Sequence, residues 1–420
     1  MFATIGVLGT VILIGGPVAF ALAAAGLTYM LLAGEYPSTF AAGLFGSLNS
    51  TTLLAIPFFI LAAEILNRSG GTARLIKMVD AWLGHNKGGL PVVAVVATAF
   101  FSAISGSSVA TAAAIGSVMI PEMVSRGYDK RFSVGLVATA GGLGILIPPS
   151  IPVIVYGMVT ETSIGTLFSA TLGPGLVLAG ALGGVAYFIG SRSGVEPSPR
   201  QSMSARLQHT WSAGGVLMLP VLILGGIFSG VFTPTEASAV ACLYSLLLAV
   251  FQYRVPLRSI PKILNGSAAT AGMILLILAA ATIFGYALTA ERIPYHMFQF
   301  IVGLELERWQ LLALIMIFFI ICGMFLEVIS VILISMPILT PILVQMDINL
   351  FHFAVLLIIN MELAVISPPI GLNLFVVSAT SKVPVIEVFK GTLPFALVIA
   401  VILLALMYLP GATILTTGWA

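Results

Sequence analysis

"GGLGILIPPSIPVIVYGMVT" (residues 141–160) sets two adjacent prolines and a serine inside an apolar run long enough to cross a bilayer. Each proline removes a backbone donor and clashes with the preceding turn. Hydrocarbon makes such a break costly, because no water is there to satisfy the freed groups. One Pro-Pro pair reads as a kink. This one has a twin: "MELAVISPPIGLNLFVVSAT" (361–380) carries its pair at 368 and 369, 220 positions after 148 and 149. Pro121 and Pro341 differ by the same 220, and each stands 27 residues before its Pro-Pro pair. Farther on, "ATLGP" (170–174) echoes "GTLP" (391–394).

The chain around these breaks is 59% hydrophobic and only 8% charged over 420 residues. A soluble domain carries about 25% charged residues. The composition therefore predicts an all-α polytopic membrane protein. Spans are expected at 3–16, 17–33, 52–67, 132–158, 172–190, 212–231, 235–253, 268–290, 352–378 and 392–409. The first basic residue is Arg68, so the opening apolar run reads as a retained helix and not as a cleaved signal. Cys242 and Cys322 lie in apolar runs and read as small core residues.

Two stretches differ from ordinary spans. Residues 90–124 are two apolar arms around "SGSS", and 309–345 are two arms around "CGMFLEV". Each arm has about 15 residues, roughly 22 Å of helix, short of a ~30 Å hydrocarbon core. They read as re-entrant hairpins, with two short spans each as the alternative. On ten spans and two hairpins, all of the 17 Lys and Arg except Arg292 and Arg308 fall on one side. The positive-inside rule makes that side cytoplasmic and both termini periplasmic. Five spans per half is an odd number, so the halves lie in opposite orientations, the inverted-repeat plan of secondary transporters. The expected division is 1–190 (hairpin 90–124, broken helix 132–158), a cytoplasmic linker 191–211, and 212–420 (hairpin 309–345, broken helix 352–378). "TARLIKMVDAWLG" (72–84) has an apolar face of Leu75, Ile76, Val79, Trp82 and Leu83. It and "PYHMFQFIVGL" (294–304) read as helices in the membrane plane, or as plain amphipathic connectors.

No enzyme constellation stands out. The four histidines are scattered, and no phosphate-binding "GxxxxGK[ST]" is present, which argues against ATP-driven transport by this chain and against a bound cofactor. Polar groups at membrane depth gather instead at the tips and breaks. They are Ser105, Gly106, Ser107 and Ser108; Gly141, Gly142, Gly144, Pro148, Pro149 and Ser150; Gly323, Glu327 and Ser330; and Asn360, Glu362, Ser367, Pro368, Pro369, Gly371 and Asn373. Freed carbonyls, hydroxyls and a carboxylate make a hard-oxygen cage suited to Na+, and broken-helix N-termini attract an anionic substrate. Glu327, at a tip, reads as a cation ligand or a protonatable coupling group. Glu362 reads as a supporting residue and Glu64 as structural.

"SGSSVATAAAIGSVMIPEM" (105–123), the 141–160 stretch, "AIPFFILAAEIL" (55–66) and "PPIGLNLFV" (368–376) resemble the large membrane subunit of tripartite ATP-independent periplasmic (TRAP) transporters. The resemblance covers nearly the whole chain. It implies an elevator-type transporter of the ion-transporter superfamily in the bacterial inner membrane, driven by Na+. It also implies two partners, a small four-helix membrane subunit and a periplasmic binding protein that delivers an organic acid. Carboxylates such as C4-dicarboxylates or sialic acids, and sulfonates, are the expected substrates. By motif match, Ser105, Gly106 and Ser107 with Gly144, Ile147 and Ser150 would form one cation site. Gly323, Glu327, Ser367, Pro368 and Gly371 would form its twin. Ser107, Ser108, Pro148, Pro149, Ser150, Pro369 and Asn373 are the residues expected to meet the substrate. The tip "GMFLE" has Glu327 where the family pattern carries Asp, and Ala364 stands where a glycine is expected. A fused small subunit is not expected in these 420 residues, which the large-subunit resemblance takes up. A stand-alone Na+/carboxylate carrier of the same superfamily and an ion channel are the competing readings.

Overall fold

A computed structural model describes residues 2–409 and 411, and among them every regular element is helical. Among the described residues, eight helices are long and apolar enough to cross a membrane, or nine if a bent pair is taken as one span. That pair is Lys130–Leu146 with Ile151–Val159, bent by 40° at the first Pro-Pro break.

Caps set the boundaries that hydropathy leaves vague. Pro234 opens Pro234–Leu247 and Thr233 caps it, exchanging hydrogen bonds with Glu236 in a capping box. Ser163 accepts from Thr166 N–H (3.3 Å), so Ile164–Ser191 starts eight residues before the span expected at 172. Ser202 caps Met203–Phe228 through Ala205 N–H (3.2 Å), so the expected linker 191–211 is helical from 203. Pro37–Leu48 is a further helix that hydropathy left between spans. With Ala55–Arg68 it covers the same ground that the unbroken Ile260–Ala290 covers later in the chain.

One group of helices forms a frame. Val18–Leu32 and Ala55–Arg68 pack on Ile260–Ala290, and Ala55–Arg68 also packs on Pro234–Leu247. The closest approach is at Gly26, where a Cβ would sit 2.6 Å from Ile283 Cγ2. The tips and breaks form the second group. The first hairpin is Gly89–Ser105 and Ser108–Ser125, and the second is Arg308–Gly323 and Val328–Gln345. The second broken helix is Leu350–Val365 and Leu372–Ser381.

These parts interlock crosswise. Ser108–Ser125 of the first hairpin packs on Leu372–Ser381 of the second break, and Val328–Gln345 of the second hairpin packs on Ile151–Val159 of the first. Lys130–Ala140 lies against the last helix, Val385–Tyr408, almost backbone to backbone. A Cβ on Gly135 would fall 2.1 Å from the Gly391 carbonyl carbon. Arg131 and Glu387 close the end of that contact with an ion pair at 2.5 Å. The amphipathic Gly71–Leu83 buries Leu75, Ile76 and Val79, as its periodicity implies, but it spends this face on Met203–Phe228 and on Gly89–Ser105. Trp82 Nε1–H donates to Thr210 Oγ1 at 2.9 Å.

Candidate functional site

The first tip is a two-residue turn. Gly106 adopts φ +62° to end the first arm, and Ser107 starts the second as its N-cap, accepting from Ala110 N–H (3.4 Å). Only a residue without Cβ fits at 106, because a Cβ there would stand 2.9 Å from Pro149 O. Ile151, just past the Pro-Pro pair, donates its N–H to Gly106 O (3.1 Å). Ser105 Oγ and Thr111 Oγ1 share a 2.5 Å hydrogen bond, and Ser105 Oγ reaches Ser107 O at 3.2 Å. Gly144 lies against this group: a Cβ on it would be 2.5 Å from Ser107 O and 2.6 Å from Thr111 Oγ1. The structure thus brings Ser105, Gly106, Ser107 and Gly144 together and adds Thr111. Ser150 is fully buried, donates to Ile145 O (2.5 Å) and accepts from Val153 N–H (3.4 Å). Its hydroxyl thereby holds the break together. Ile147 ends the short helix Leu143–Leu146 in an extended conformation.

The second half repeats the tip-to-break contact. Gly371, 220 positions after Ile151, donates its N–H to Met324 O at 3.2 Å. Glu327, 220 after Ser107, is likewise an N-cap, with its carboxylate toward the backbone amides of Ile329 and Ser330. Ser367 Oγ donates back to Leu363 O (2.6 Å), and Gly371 takes φ +60°. Gly323 nests on Met361 and Ala364. The Pro148–Pro149 and Pro368–Pro369 peptide bonds are both cis.

Both tips open on one cavity of about 670 Å³ between the hairpins and the frame. Ser105, Gly106, Ser107, Ser108 and Glu327 line it. Opposite stand Asn67 and Arg68 at the end of Ala55–Arg68, and Ser267 and Thr270 on Ile260–Ala290. Arg68 Nε donates to Glu64 Oε1 at 2.5 Å. The expected substrate residues divide here. Ser107 and Ser108 face the cavity, whereas Pro148, Pro149 and Ser150 lie buried behind the tip. Pro369 is exposed outside the cavity, and Asn373 turns its amide to Ala138 O (3.1 Å). Among the described residues no three His, Cys, Asp or Glu converge as a metal-binding cluster.

A family profile described as "Tripartite ATP-independent periplasmic transporter, DctM component" matches residues 5–412. The chain belongs to this DctM family. It is 41% identical over 394 residues to the C4-dicarboxylate TRAP transporter large permease protein DctM of Pseudomonas aeruginosa, covering 94% of this chain and 92% of that one. It is 34% identical to the sialic acid large permease protein SiaM of Vibrio cholerae, over 96% of this chain and 94% of that one. A third relative, the isethionate permease protein DctMQ of Oleidesulfovibrio alaskensis, is 36% identical over 97% of this chain and 65% of its own length. The fold is similar to that of the YdaH transporter of Alcanivorax borkumensis, at TM-score 0.65 and 13% identity, covering 91% and 87% of the two chains.

A DctM-family chain is a multi-pass membrane permease and not an enzyme. Within that frame, the sequence reading passed over Thr111, Arg68, Asn67, Ser267 and Thr270. Thr111 stands four residues after Ser107, one helical turn, so helix period could have flagged it. Arg68 reads as an ordinary basic residue at a span end; only the packing of the hairpins against the frame sets it at the cavity.

Proposed function

We infer that this chain is the large permease subunit of a Na+-driven uptake system for a small organic acid in the bacterial cytoplasmic membrane. The observation that supports this most is the shared cavity, which joins Ser107 and Glu327 to Arg68, Asn67, Ser267 and Thr270. It offers an acidic group and hydroxyls at the tips, and a guanidinium with further hydroxyls and an amide opposite. Na+ is held where carbonyls and hydroxyls converge, at Ser105, Ser107, Thr111 and Gly144 in one half and at Glu327 with the 367–371 break in the other. An anionic substrate neutralises Arg68 in place of part of its pairing with Glu64, and a guanidinium matches a carboxylate or sulfonate through paired N–H donors. The relatives named for C4-dicarboxylates, sialic acid and isethionate have in common that each handles an organic acid.

Transport proceeds by movement of the interlocked hairpins and breaks as one body along the frame, in an elevator manner, with both termini periplasmic. A small four-helix membrane subunit steadies the frame, and a periplasmic binding protein delivers the substrate.

The test is uptake by proteoliposomes holding this chain with its small subunit. Substrate-loaded binding protein is added under an imposed Na+ gradient. Uptake should need both the gradient and the binding protein. Uptake without the binding protein would favour a stand-alone carrier, and ion currents with neither would favour a channel. Arg68→Gln should raise the half-saturating substrate concentration about tenfold, a loss of about 1.4 kcal/mol.

A further inference from the structure

The Glu362 carboxylate is 1% exposed and both of its oxygens lack a hydrogen-bond partner. It lies against the first break: a Cβ on Gly142 would sit 3.1 Å from Glu362 Cγ and 3.2 Å from Cδ. Asn373, from the helix after the second break, is 0% exposed and approaches the same helix one turn earlier. Its Nδ2–H donates to Ala138 O at 3.1 Å. That carbonyl is available because Gly142 N–H goes to Thr139 O (2.9 Å) at the start of the break. Gly141 and Gly142 keep helical dihedrals (φ −53°, ψ −30° and φ −56°, ψ −32°). Ala138 and Gly142 therefore share one face, roughly 6 Å apart.

The Ala138 carbonyl fixes which way the Asn373 amide points, since only the NH2 end can donate to it. Asn373 Oδ1 is left as a third buried oxygen without a partner. Asn360 is separate: its Nδ2–H reaches Met316 O (3.0 Å) on the second hairpin, and it stands two residues from Glu362, on another face of the helix. Glu362 and Asn373 thus bring three unpartnered acceptor oxygens to this helix face. An unpaired carboxylate in such surroundings is costly by several kcal/mol unless a cation or a proton meets it.

We propose that Glu362 and Asn373 Oδ1 bind a monovalent cation, Na+, between the two broken helices, separately from the tip sites. The ion ties the first break to the second, so its occupancy couples the two halves of the moving body. This adds a third cation position to the proposed permease and rests on that reading only for its use in transport.

The experiment is equilibrium binding of radiolabelled Na+ to the purified full chain in lipid nanodiscs near neutral pH. Glu362→Gln, which keeps shape and removes charge, should bind one Na+ fewer per chain. Glu362→Asp should keep the count and bind the ion about tenfold more weakly. In Glu362→Gln, the Na+ binding that is weakened in Glu327→Gln should persist, which shows that the variant is folded. An unchanged count in Glu362→Gln overturns the proposal. So does a wild type whose Glu362-dependent step is a proton uptake with no Na+ bound. If Ser107→Ala and Glu327→Gln leave Na+ binding intact, the tip sites fail, while the outcome at Glu362 is read independently.

Discussion

The two breaks share a motif and differ in how they are sealed. Every residue from 133 to 157 is buried, so the first Pro-Pro pair sits wholly inside protein. In the second, Ser367 and Pro368 are half-buried, and Pro369 and Ile370 are exposed. One position accounts for part of this. Ser150 caps the helix that follows the first break and also holds Ile145 O. Its counterpart 220 positions on is Ile370, which has no polar atom to do either, and Gly371 begins the next helix without a side-chain cap. The tips differ in the same sense. Ser105 and Ser108 are buried, while Phe325 at the second tip is exposed. Repetition of sequence has given two similar tip-to-break contacts in unlike surroundings, Ile151 to Gly106 and Gly371 to Met324, the second acceptor standing two residues short of the repeat position. The first break is sealed inside protein, and the second is only partly covered.

The strongest way to break this contrast is at the glycines. Gly144→Ala drives a methyl group into Ser107 O and Thr111 Oγ1, both held in a packed tip, and should abolish uptake and lower the melting temperature sharply. Gly371→Ala meets Ser367 O at 2.7 Å and a left-handed dihedral that costs about 1–2 kcal/mol, but in a half-open region that can shift. Uptake should fall and persist. Equal loss in both, measured side by side in proteoliposomes, would remove the distinction.

Next in size are the tip ligands. Glu327→Gln removes a charge and should raise the Na+ concentration for half-maximal uptake about tenfold or more, equivalent to about 1.4 kcal/mol. Ser107→Ala leaves the Ser107 carbonyl beside Gly144 in place and should shift that concentration by only about threefold, roughly 0.6 kcal/mol. A larger effect from Ser107→Ala would mean that its hydroxyl, and not its carbonyl, is the ligand.

The capping serines come third. Ser150→Ala leaves a buried carbonyl and a buried amide unsatisfied and should cost about 1–3 kcal/mol of stability. Ser367→Ala removes only a bond back to the last turn of the preceding helix and should cost less than about 0.5 kcal/mol.

Much of this was legible in the chain. Pro-Pro pairs at equal spacing located both breaks, and "SGSS" and "CGMFLEV" located both tips, because unusual backbone needs unusual residues. Less legible were the helix starts at Ile164, Met203 and Ile260, where polar caps stand outside the apolar window. From the sequence Glu362 reads as a supporting residue, because its weight depends on what faces it. A carboxylate near a break could have been hydrogen-bonded, and only its position against Gly142 leaves it bare.

By itself the sequence determined that this chain lives in a membrane, that it breaks its helices in two places, and which residues form tips and breaks. Those are properties of local composition and period, which neighbours in sequence carry. The tertiary structure decided what meets what. It crossed each hairpin onto the other half's broken helix, set Arg68 opposite both tips, and laid Glu362 and Asn373 on one face of Lys130–Ala140 and its continuation. Such pairings join residues tens to hundreds of positions apart, and helix packing fixes them through the fit of small residues such as Gly135 against Gly391, where backbone can approach backbone.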